Sequence, residues 1–151
     1  MTNFFNKLWL NIKENFTTKR FGFYVGLAAF ILMIALLIAY SGIDKTLFNS
    51  NVILFVVLGI VLYIVFSVFK QTALLAQVSL MVFSFLSFCA FASTDGMVDY
   101  LSTQFFDGIS FAKLMSLDSN FLFSALLMLL TFIVASVAMY MPQNKKSIES
   151  K

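Results

Sequence analysis

Along the chain the apolar residues fall into four long runs that no ionisable side chain interrupts. Twenty-three uncharged residues separate Arg20 from Asp44, and 24 separate Lys45 from Lys70. Another 24 lie between Lys70 and Asp95, and 26 between Asp118 and Lys145. A helix needs about 20 apolar residues to cross a hydrocarbon layer ~30 Å thick, so each run supplies one crossing and none supplies two. The pattern predicts spans at 21–41, 52–69, 73–93 and 121–141. Strands of a membrane β-barrel would instead show stretches of ~10 residues with alternating polarity, whereas residues 28–39 are apolar on every face. The expected fold is therefore all-α, a polytopic membrane protein built as a four-helix transmembrane bundle.

The segments flanking the spans have patterns of their own. In residues 1–20, Phe5, Leu8, Trp9, Ile12 and Phe16 recur at helical spacing, with Lys7, Asn11, Lys13 and Asn15 between them. This predicts an N-terminal amphipathic interfacial helix that lies flat on the membrane, with Trp9, Phe5 and Phe16 as its anchors and the lysines near anionic headgroups. Residues 21–141 form the four-span domain, and 142–151 a short basic tail. The outer loop, 95–119, carries Val98, Leu101, Phe105 and Ile109 at helical spacing, followed by an Asp107-Gly108 turn signal. One or two short helices are expected there, lying on the interface or partly re-entrant. Asp118, Ser119 and Asn120 offer N-cap chemistry for the fourth span.

Composition excludes the alternatives. The chain is 61% hydrophobic and only 11% charged, against about 25% charged residues in an ordinary soluble domain, so too little charge is available to cover a water-facing surface. Aromatic residues make up 17%, which no disordered chain carries. Nine lysines to one arginine, with abundant Phe and Ile, suggest an AT-rich bacterial genome. A net charge of +3 does not indicate nucleic acid, because the basic residues punctuate the spans and form no aromatic-interleaved stripe.

The same charges set an orientation. With four spans the N-terminus, the second loop and the C-terminus share one side, which holds eight of the ten basic residues; the other side has only Lys45 and Lys113, together with five of the seven acids. The positive-inside rule then places both termini in the cytoplasm of a cell whose inner membrane holds the spans. Ala39-Tyr40-Ser41 has the small-x-small form of a cleavage site, but the apolar run is about twice a signal peptide's 7–15 residues, so the first span is expected to be retained. Tyr24, Tyr40 and Tyr140, at span ends, are assigned to aromatic belts.

Small and polar residues within the spans mark where helices can approach. Gly22 and Gly26 form a small-xxx-small pair, open to packing within the chain or to a subunit interface. Ala28, Ala35 and Ala39 continue along the first span, Gln77, Ser84 and Ser87 line the third, and Ser124 and Thr131 mark the fourth. Gln77 is expected to hydrogen-bond between helices, and Cys89 to pack as a small residue. With one Cys and no His, no disulfide and no conventional zinc, haem or iron–sulfur site is expected. The spacing of Asp95, Asp99 and Asp107 fits no calcium loop. No span holds the acid or base of a proton relay or ion site, and no catalytic residues or cofactor are expected.

These features favour an accessory or scaffold subunit of a larger membrane complex, such as a transporter. Its partners would be the lipid bilayer and another membrane protein or a second copy of itself. The alternative is an oligomeric, holin-like pore with Ser84, Ser87, Ser124 and Thr131 facing its lumen. The orientation makes a direct prediction: a reporter that is active only in the cytoplasm, fused after Lys151, is active in intact cells, and activity of an exported reporter at that position reverses the assignment.

Overall fold

The computed structural model describes residues 21–68, 72–106, 108, 110, 112 and 117–141. The expected interfacial helix with Phe5, Trp9 and Phe16, and the basic tail, lie outside the described residues. The described residues include the α-helices α1 (Phe21–Ser41), α2 (Ser50–Val68), α3 (Ala73–Ala92), α4 (Met97–Phe105) and α5 (Ser119–Tyr140), with a 3-10 turn, Lys45–Leu47, between the first two. No strand occurs among the described residues. α1, α2, α3 and α5 are each long and apolar enough to cross a membrane.

The spans end within two residues of the positions set by the charges, and capping explains the differences. The Asp118 carboxylate accepts the amide of Phe121 at 3.1 Å, which starts α5 at Ser119. At α2 the Asn49 side-chain oxygen accepts the Asn51 amide at 3.0 Å, so that helix begins at Ser50. Such side-chain acceptors replace partners that the first turn of a helix lacks.

The four spans form a ring in the order α1, α5, α3, α2, with every neighbour antiparallel. Packing is most extensive between α1 and α5 and between α2 and α3, then between α3 and α5, and thinnest between α1 and α2. Phe30 stacks on Tyr63 across this thinnest seam, with ring centroids 4.8 Å apart. Met33 covers Gly59 beside it, and a Cβ at Gly59 would meet the Met33 methyl at 2.7 Å.

Each span buries a single stripe. On α1 it runs through Gly22, Gly26, Ala29, Met33, Leu36 and Tyr40, and on α5 through Phe121, Ser124, Met128, Thr131, Ala135 and Ala138. Large aliphatic and aromatic residues face outward, among them Ile31, Ile38, Leu54, Ile64, Phe85 and Ile133. Small and hydroxylic residues alternate inside with larger ones such as Met33, Leu36 and Met128, and the small positions are where helix backbones can approach closely.

The end of the bundle where α1 and α3 finish is tied by hydrogen bonds between elements. The Asn49 amide donates to the Tyr40 hydroxyl at 2.7 Å, and the Asn49 side-chain nitrogen donates to the Ala90 carbonyl at 2.9 Å. The side chain of Asn120 donates to the Gly42 carbonyl at 2.8 Å, joining α5 to α1. The Asp118 amide donates to the Tyr100 hydroxyl at 3.1 Å, joining α4 to α5. Between these bonds the rings of Tyr40, Phe91, Phe121 and Tyr100 touch in series.

Two expectations change here. Tyr40 is not a belt residue but is fully buried, because the helical repeat sets it on one stripe with Met33 and Leu36; Tyr24 and Tyr140 are exposed. Within the outer loop a helix does form, but Val98 is 76% exposed and the packed face runs through Met97, Tyr100, Leu101 and Phe105. Met97, Tyr100, Leu101 and Phe105 share one helical face, and α4 follows directly on Gly96, whose φ is +83°. Gly108, in the expected turn, also has positive φ.

Asn49→Ala removes a cap and an inter-helix bond together, and it should lower stability by about 1–2 kcal/mol, seen as a lower unfolding midpoint in detergent. Asn51→Ala, whose side chain is exposed, should change it by less than about 0.5 kcal/mol. Equal effects would mean that the Asn49 bonds hold nothing together.

Candidate functional site

Polar side chains gather in two places, one inside the spans and one at the tied end. Inside, Ser84, Ser87 and Thr131 are all fully buried. Their hydroxyls donate to carbonyls of their own helices: Ser84 to Met81 at 3.0 Å, Ser87 to Phe83 at 2.7 Å and Thr131 to Leu127 at 2.7 Å. Bonded in this way within one helix, each hydroxyl satisfies itself in a dry interior while its small bulk lets the neighbouring helix come close. Ser124 is also fully buried.

Gln77 lies where three spans meet and has no exposed surface. Its amide sits against Gly26 of α1, where any Cβ would overlap it. The Tyr63 hydroxyl of α2 lies near it and near Ser67, but the Tyr63 and Ser67 hydroxyls, like that of Ser124, are buried without a hydrogen-bond partner among the described residues. A carboxamide in hydrocarbon is costly unless other polar groups surround it, and Gly26 is what leaves room for this one. Gly22 and Gly26 both belong to the buried stripe of α1. Ala29 shares that stripe and is fully buried, whereas Ala35 and Ala39 are half-buried and Ala28 is exposed. Cys89 is exposed on α3.

The second place is a cleft of about 330 Å³ at the tied end, lined by Thr46, Phe48, Asn49, Ser50, Asn51, Ser93, Thr94 and Asp95. It forms where the α1–α2 connection meets the α3–α4 connection. Gly96 lies at that meeting, where a Cβ would make only ordinary contact with the Thr46 carbonyl at 3.8 Å, and it is the positive φ of +83° that suits glycine. Part of the lining is committed to structure. The Ser93 and Thr94 hydroxyls donate to the Ala90 carbonyl, and Asn49 spans Tyr40, Ala90 and Asn51. The side chains of Thr46, Ser50, Asn51 and Asp95 make no hydrogen bond among the described residues and line open space. Asp95 is the sole charged group in the lining.

Among the described residues no group of three His, Cys, Asp or Glu side chains is placed to hold a metal ion. Sequence reasoning missed the cleft and the roles of Asn49 and Asn120. A signal was present, because the polar runs Asn49-Ser50-Asn51 and Ser93-Thr94-Asp95 follow odd-numbered spans and so emerge on one side. Comparison with known protein families, curated proteins and solved structures finds no match to this chain, so its function must be argued from its own residues.

Gly26→Ala should displace the Gln77 amide from its seat and lower stability by about 1–3 kcal/mol. The same change made in a Gln77→Ala background should cost far less, because the two residues share one contact. Additive effects in this double-mutant cycle, read from unfolding midpoints, would separate the glycine from the glutamine.

Proposed function

We propose that the chain is a multi-pass protein of the cell's inner membrane, with both termini in the cytoplasm, serving as a non-catalytic accessory or scaffold subunit of a larger complex such as a transporter. The observation that carries this reading is the division of labour among the spans. The inward-facing hydroxyls of Ser84, Ser87 and Thr131 bond to their own helices, and no span contains an Asp, Glu, Lys, Arg or His. What these helices offer to other molecules is therefore surface rather than chemistry.

That surface is broadest on α2. Its buried stripe is only Val52, Val56, Gly59 and Tyr63, and it packs extensively on α3 alone. Leu54, Val57, Leu58, Val61, Ile64 and Val65 form an aliphatic face open to lipid or to another span. The pore reading takes second place. Ser84, Ser87, Ser124 and Thr131 are buried inside one copy, so a lumen lined by them would need the bundle to open.

A photo-crosslinking residue at Val61 or Ile64 should capture one membrane partner reproducibly in native membranes, and the same partner should co-purify in mild detergent at fixed stoichiometry. Recovery of the chain alone by both routes contradicts the accessory role, and depolarisation of cells on expression favours the pore.

A further inference from the structure

The cleft at the tied end has a chemical character that neither packing nor an accessory role accounts for. Its volume of about 330 Å³ lies at the lower end of the range typical of small-ligand sites, ~300–1,000 Å³. Seven of its eight lining residues are polar, so an apolar occupant would strand hydroxyls, amides and a carboxylate without partners. Asp95 has no cation among the lining residues, so the occupant that matches it carries positive charge.

The surroundings strengthen that preference. Among the described residues this end of the molecule holds Asp44, Asp95, Asp99 and Asp118 against Lys45 alone, and a surface of one sign concentrates ligands of the other. Phe48, on the cleft wall, is 42% exposed. One face of its ring stacks on Tyr40, with centroids 5.7 Å apart. A ring so placed still presents π-density to a cation. A bare divalent metal suits the cleft poorly, since calcium takes 6–8 oxygen ligands, several of them carboxylates, and Asp95 is the lone acid in the lining. Anions are opposed by the local charge.

We propose that this cleft binds a small ammonium-bearing ligand, with Asp95 as counter-ion, the Phe48 ring beside the cation, and Thr46, Ser50 and Asn51 hydrogen-bonding its polar substituents. The cleft lies where three spans end, so the ammonium can come from a free amine or from the headgroup of an ethanolamine lipid. Its recognition is the same in both cases.

The test uses the full chain, purified in a maltoside detergent and an amine-free phosphate buffer. Ethanolamine, choline and putrescine are titrated, with sorbitol as a neutral control, and the thermal midpoint and calorimetric heat are followed. The proposal expects saturable binding of at least one amine and none of sorbitol. Asp95→Asn, which keeps the shape and removes the charge, should weaken that binding by about tenfold or more. Asp99→Asn, at the same end but outside the cleft, should weaken it far less, by about twofold at most, since it removes only a distant, screened charge. The lipid source is read by native mass spectrometry: an ethanolamine lipid retained by the wild type in preference to a glycerol lipid, and lost in Asp95→Asn, supports a headgroup ligand. Unfolding midpoints of the variants, taken without ligand, confirm that each is folded. The proposal is overturned if neither amine nor ethanolamine lipid binds selectively, or if binding is indifferent to Asp95→Asn.

Discussion

A backbone amide in hydrocarbon has no water to bond, and the rest of this structure depends on that constraint. A helix satisfies its amides within one segment, and four helices here are long and apolar enough for a membrane crossing each. The rule extends to side chains. Ser84, Ser87 and Thr131 return their hydroxyls to their own helices, and Gln77 is seated among groups of two other spans. Hydrogen bonding inside the bundle thus leaves shape as the main determinant of packing. The shape is set by small residues on the inner stripes, with Gly26 and Gly59 admitting Gln77 and Met33 where a side chain would exclude them.

Where the spans reach their shared end the constraint relaxes and a different logic takes over. Polar side chains bridge elements instead of closing on themselves: Asn49 to α1 and α3, Asn120 to α1, Tyr100 to the start of α5. Rings from Tyr40 to Tyr100 fill the space beneath them. The bundle is thereby clamped at one end, and the cleft around Asp95 is built from the clamp's own loops. Its walls are held by bonds such as Asn49 to Ala90, which gives an open surface site a fixed shape.

Much of this was legible in the sequence, for a physical reason. Charge is so costly in lipid that its absence marks a span almost residue by residue, and a carboxylate such as Asp118 beside an apolar run marks where the helix begins. What the sequence did not disclose were the pairings between spans. Gly22 and Gly26 read more readily as a packing face than as an interface, but what they pack against was hidden, because the residue that fills the space, Gln77, lies 51 positions away from Gly26. Tyr40 read as an interfacial ring because its distance from the span's end is visible, while the phase that turns it inward depends on what α3 and α5 present. Val98 misled in a different way, since Met97, Tyr100, Leu101 and Phe105 form a competing apolar stripe at helical spacing, and that stripe is the one that packs. The cleft arises from two loops brought together by topology, and each alone looks like an ordinary polar connection.

The central claim is that four separate helices are embedded in lipid, each satisfying its backbone amides within its own segment. Amide hydrogen exchange of the full chain in lipid vesicles, followed by mass spectrometry, tests it most directly. The account predicts four strongly protected blocks at residues 21–41, 50–68, 73–92 and 119–140, with rapid exchange at the connections around Asp44 and Asp95. Exchange running freely through any one of those blocks, or recovery of the chain in the aqueous fraction, would contradict it.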